Sequence, residues 1–117
     1  MPIVQKMLLA YKLWHEYLSN FPKITRYTLG EKIDFLFIET IENIFIAVHK
    51  DSDQKAPYLA KASDKFDILK FLLQVAWEVK AIDNKKYIAL SKKLNEIGRM
   101  LGGWLKTQAP HKNGAVK

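Results

Sequence analysis

The stretch from Asn84 to Lys106 reads NKKYIALSKKLNEIGRMLGGWLK, and its periodicity decides the fold. At about 100° per residue, Tyr87, Leu90, Leu94, Ile97, Leu101 and Trp104 gather on one side, the apolar seam of an amphipathic helix. Lys85, Lys92, Arg99 and Lys106 recur every seven residues and form a cationic stripe opposite that seam. The stripe drifts by about 20° per heptad and extends along about 30 Å of helix. Lys86 and Lys93 widen it along one flank. A third face holds Ser91, Asn95, Gly98 and Gly102, small residues that admit the close approach of another helix. Each interior glycine costs about 1 kcal/mol relative to alanine, so a packing reason is expected there.

Working outward from this segment, breaks at Phe21-Pro22-Lys23-Ile24-Thr25, at 50–57 and at Ala81-Ile82-Asp83-Asn84 divide the chain into four helical lengths. In the first, Val4, Met7, Leu8, Tyr11, Trp14 and Leu18 fall at spacings of three and four. The second opens on Thr28-Leu29-Gly30-Glu31, which fits a capping box, and continues with Leu29, Ile33, Leu36, Phe37, Ile41, Ile44, Phe45 and Val48. The third is expected from near Pro57 to Ala81, and the fourth from near Asn84 to Thr107. The expected fold is all-α: an antiparallel up-and-down four-helix bundle over residues 1–107, with a flexible basic tail over 108–117.

The third segment carries two apolar seams. Leu59, Ala62, Phe66, Leu69, Leu73 and Ala76 form one, and Ile68, Leu72, Val75, Val79 and Ile82 form another, displaced around the helix. On the second helix, Phe35, Ile38 and Ile46 also lie off the main stripe. A four-helix bundle buries one stripe per helix, so the surplus points to a copy of the same chain as its cover. A wide stripe inside a tightly packed monomer is the competing reading. The expected oligomer interface is therefore Ile68, Leu72, Val75, Val79 and Ile82, with Gly98 and Gly102 from the small-residue face.

Charge narrows the function. The chain has 117 residues, 19 Lys+Arg against 12 Asp+Glu, and a formal charge of +7. Residues 1–79 hold equal numbers of acids and bases, so residues 80–117 carry the whole excess. Such segregation suggests a face that meets a polyanion; an ordinary solvated face, with Glu96 paired to Lys92 or Lys93, is the alternative. The absence of cysteine excludes disulfides and thiolate chemistry. His15, His49 and His111 lack any paired metal-ligand spacing, and Glu39 and Glu42 read as solvated or lysine-paired. No nucleotide-loop or nucleophile-elbow motif occurs, so neither catalysis nor a cofactor is expected. Trp14, Trp77 and Trp104 could stack on bases, although burial is the commoner role of tryptophan in a bundle. No run of about 18 apolar residues spans a membrane, and Met1-Pro2-Ile3-Val4-Gln5-Lys6 lacks the features of a signal peptide, so a cytoplasmic protein is expected.

Particular residues carry a family resemblance. Phe21-Pro22-Lys23 with Tyr27-Thr28-Leu29-Gly30-Glu31-Lys32-Ile33, and the third-helix run Leu59 to Leu69, resemble a bacterial four-helix-bundle family. That family includes proteins encoded in intervening sequences of 23S ribosomal RNA genes. It also includes the accessory variability determinant (Avd) proteins of diversity-generating retroelements. The closing run Leu94-Asn95-Glu96-Ile97-Gly98-Arg99-Met100-Leu101-Gly102-Gly103-Trp104 is similar to the Avd branch in particular. The resemblance implies a homopentameric ring of bundles that binds RNA or DNA and associates with a reverse transcriptase during mutagenic copying of template RNA. It also implies that Arg99 and Lys23 are basic positions of the family motifs. Lys85, Lys86, Lys92, Lys93 and Lys106 rest on the helical arithmetic alone. A ribosomal-RNA-binding bundle of the intervening-sequence type, and an oligomeric scaffold without nucleic acid, are the rival functions.

Overall fold

The computed structural model describes residues 2–108, so all but the first residue of the expected tail lies outside the described residues. Four long helices carry the fold. Helix α1 is Pro2–Leu18. Helix α2 is unbroken over 23–48 and has three parts: an α-helical turn Lys23–Thr25, a π-helical stretch Arg26–Gly30 and a long α-helical part Glu31–Val48. A 3-10 turn, Ser52–Gln54, leads into α3, Ala56–Glu78, and α4 is Asn84–Gln108. Contacts close a cycle in which α1 and α3 each lie against α2 and α4. With short connections, neighbouring helices run antiparallel, which gives an up-and-down bundle of 50 × 26 × 22 Å.

The core is one cluster drawn from all four helices. On α3 the buried residues are Leu59, Ala62, Phe66, Leu69, Leu73 and Ala76, the seam expected from spacing. On α4 they are Leu90, Leu94, Ile97 and Leu101, with Tyr87 and Trp104 half-buried at its ends. The other two helices depart from the expected stripes. Helix α1 buries Ile3, Met7, Ala10 and Trp14, while Leu8 is exposed. Helix α2 buries Thr40 and Ala47, while Phe45 is 55% exposed. Small side chains mark the lines where helices come closest, and hydropathy alone passes them over.

The aromatic heart joins α1 to α2. Trp14 stacks on Phe37 at 5.9 Å and meets Phe21 edge-on at 5.4 Å. Asp34 accepts hydrogen bonds from Tyr11 Oη (2.9 Å) and Trp14 Nε1 (3.1 Å), so the indole N–H is satisfied. Burial, then the hydrogen bond and charge of Asp34, push the Tyr11 hydroxyl up to about 12.

Helix ends correct two further expectations. Thr28 does not cap α2, because the helix begins one turn earlier, behind Pro22. The amides of Thr25 and Arg26 donate to Pro22 O, and the Thr28 hydroxyl donates back to Ile24 O at 2.9 Å. Gly30 is buried, and a Cβ there would lie 2.7 Å from Leu18 Cδ1, so a larger residue would have to displace the Leu18 side chain. Helix α3 stops at Glu78, short of Ala81. Its end is a Schellman turn in which Ala81 N donates to Ala76 O and Lys80 N to Trp77 O. Lys80 occupies the left-handed position at φ 66°, where glycine is usual. This turn directs Ile82 inward, where it is buried in the chain's own core, so it does not belong to the outward seam expected for it.

Candidate nucleic-acid interface

Helix α4 is built to present cations. Asp83 caps it, with Oδ1 accepting Lys86 N–H at 2.8 Å. The buried seam fixes the helix rotation, and this directs Lys85, Lys92, Arg99 and Lys106 to solvent; all four are exposed. Successive members rise by about 10 Å along the helix, close to a Debye length of about 10 Å at 0.1 M salt. Among the described residues none of the four takes part in an ion pair.

Glu96, the one acid on α4, is engaged elsewhere. It does not pair with Lys92 or Lys93; it bonds Lys6 of α1 at 2.9 Å. That hydrogen bond, then the charges of Lys6, Arg99 and Lys93, hold its carboxyl below the ordinary glutamate value. Lys93 is exposed, and Lys86 is half-buried with its ammonium 5.5 Å from the Tyr17 ring. Lys23 is exposed at the start of α2, at the bundle end where α4 begins. The cations thus form a long stripe on α4 with Lys86 and Lys93 on its flanks, and Lys23 stands apart from it on α2.

The expected interface residues divide. Ile68 (46% exposed) and Val79 (59%) stand on the outer side of α3, with Leu72 and Val75 half-buried between them. Phe71 joins this apolar strip, although spacing did not single it out. On neighbouring α2, Phe35, Ile38 and Ile46 are also exposed. Ile82 is inside the bundle. Gly98 serves a contact within the chain, since a Cβ there would come within 3.3 Å of Phe66 Cε2. Gly102 faces open space.

The sequence missed the groove between α3 and α4. It runs past Lys70, Gln74, Ser91, Asn95 and Arg99. At one end Trp77 of α3 stacks on Tyr87 of α4, with centroids 4.9 Å apart and planes 8° from parallel. The Trp77 indole donates to Asn84 Oδ1, which locks the ring. Only Trp14 of the three tryptophans is fully buried; Trp104 is half-buried with Lys55 Nζ 5.7 Å from its ring. Elsewhere Glu39 pairs with Lys65 at 3.4 Å. Among the described residues there is no cluster of His, Asp and Glu able to hold a metal, and no helix long and apolar enough to cross a membrane.

A family model described as bAvd-like matches residues 1–108. The chain belongs to the bAvd-like family. The match ends where α4 ends, so it spans the whole bundle, including the cationic stripe and the closing run from Leu94 to Trp104. The bAvd-like proteins are an accessory family not known for catalysis. No curated protein matches the chain.

Proposed function

We propose that this protein is an Avd-type accessory factor of a diversity-generating retroelement. In this role it binds RNA or DNA through α4 and partners a reverse transcriptase in the mutagenic copying of template RNA. The observation that carries the reading is a row of exposed cations that, among the described residues, form no ion pair, on a bundle whose whole length matches the bAvd-like family. Lys85, Lys92, Arg99 and Lys106 would contact phosphates, with Lys86 and Lys93 beside them and Lys23 apart on α2. Such contacts give affinity without sequence readout, as suits a factor that accompanies a copying enzyme along any template.

The same reading includes a ring of copies, a homopentamer by family resemblance. The outward strips of α3 (Ile68, Leu72, Val75, Val79) and α2 (Phe35, Ile38, Ile46) supply apolar surface for its closure. A ring would gather several α4 stripes and raise affinity for one long polyanion. The test is coexpression with a retroelement reverse transcriptase from the same genome. Copurification of the two, and complementary-DNA synthesis that depends on the bundle, are expected. A bundle that neither binds the enzyme nor changes its product would overturn the proposal.

A further inference from the structure

The Trp77–Tyr87 pair sits where three features meet. It crosses from α3 to α4, its Tyr87 lies in the first turn of the helix that carries the cationic stripe, and it separates two hollows of the α3–α4 groove. Trp77 lines the hollow at the α3–α4 turn and Tyr87 does not; Tyr87 lines the next hollow and Trp77 does not. Each ring therefore has one side packed on its neighbour and another part turned to open space. Trp77 remains 36% exposed although its only polar atom is already satisfied by Asn84. The ring is thus rigid, partly uncovered, and without need of a polar partner.

The hollow beside Trp77 has a volume of about 640 Å³, within the usual range for ligand clefts. Its other walls are Glu78, Lys80, Ile82, Asp83 and Asn84. Two carboxylates make it a poor place for a phosphate. Asp83 is occupied by the Lys86 amide, and Glu78 accepts the Gln74 amide at 3.3 Å, so both are anchored acceptors. An aromatic face with fixed acceptors suits a neutral, flat group that carries exocyclic amines, which describes a nucleobase. Lys85 follows Asn84 directly and begins the line of phosphate-binding cations.

We infer that the α3–α4 groove is a single-strand site, with the backbone on the α4 cations and one unpaired base stacked on Trp77. This rests on the proposed nucleic-acid role and narrows it, because a base held in a duplex cannot reach the ring. Affinities for oligocytidylate, whose bases carry an exocyclic amine, and for an abasic phosphodiester chain of equal length test it. The parent protein is expected to prefer the base-bearing strand by about 5- to 150-fold, the share of one stacked base. Trp77→Leu and Trp77→Ala, at unchanged helicity, are expected to erase that preference and keep the salt dependence. Lys92→Gln is expected to weaken both strands alike. A Trp77→Leu protein that still prefers bases overturns the inference, as does a parent that binds both chains equally while Lys92→Gln weakens them; in either case the proposed function stands. A parent that binds neither chain removes the proposed function itself. A drop in assembly mass on Trp77→Leu would mean that the hollow holds a neighbouring copy, and would also overturn the inference.

Discussion

Replacing Gly102 with alanine separates two uses of the small-residue face of α4. Glycine inside a helix is about 0.8–1.0 kcal/mol less favourable than alanine, because it freezes more backbone freedom. Nothing lies within 4 Å of a Cβ placed on Gly102, so the added methyl meets no clash. The position is under two turns from the helix end at Gln108, where fraying trims the gain to about 0.5–1 kcal/mol. For a bundle of this size that raises Tm by about 2–6 °C. Gly98 is the internal control, since its added Cβ would press to 3.3 Å from the buried Phe66 ring, and overpacking offsets the helical gain. Thermal melts followed by circular dichroism, with mass by light scattering, are the assay. Gly102→Ala should melt higher than the parent and higher than Gly98→Ala, at unchanged mass. A lower Tm or a smaller assembly for Gly102→Ala would refute the reasoning, because it would mean that another helix packs on this face.

Two further outcomes follow from the helix ends and the core. Lys80→Gly should stabilise the fold by about 0.5–1 kcal/mol in urea unfolding, because a lysine at positive φ carries strain that glycine relieves. Tyr11 titrates in the fold near 12, above its ordinary value of 10.0. A raised pKa favours the neutral form in the folded state, so this stability is complete below about pH 10 and is lost as pH rises toward 12. The loss should be visible as a steeper alkaline fall in Tm for the parent than for Tyr11→Phe.

How much was legible in the sequence depended on what each residue type signals. The α3 and α4 seams were read correctly because Leu, Ile or Phe occupies most inward positions, and Ala62 and Ala76 fall at the same three–four spacing. Helices α1 and α2 were misrotated in part because Ala10, Thr40 and Ala47 mark inward positions with little hydropathy, while Leu8 and Phe45 offer much and stay outside. Thr28-Leu29-Gly30-Glu31 imitates a capping box, yet Pro22 already starts the helix, and a π-helical stretch has no place in a fixed angular step. The end of α3 was overrun because its left-handed residue is Lys80, and no glycine announces it. That miss carried Ile82 onto the wrong surface.

The candidate site divides along the same line. Exposure of the cationic stripe follows from one helix and its own core seam, so it could be read from spacing. The Lys6–Glu96 pair and the Trp77–Tyr87 stack depend on which helices become neighbours. Separations in sequence of that kind carry no periodic signal, and the α3–α4 groove was invisible for that reason.

The salt dependence of binding to single-stranded RNA or DNA, with and without the four stripe cations, is the decisive experiment. Four phosphate contacts give a log–log slope of about −2.8, so raising salt from 50 to 200 mM should weaken the parent about 50-fold. Changing Lys85, Lys92, Arg99 and Lys106 together to glutamine should remove about 2.8 from that slope while the bundle keeps its helicity. A parent slope near zero, or a fourfold variant with the parent's slope, would contradict the claim that α4 is the polyanion-binding face.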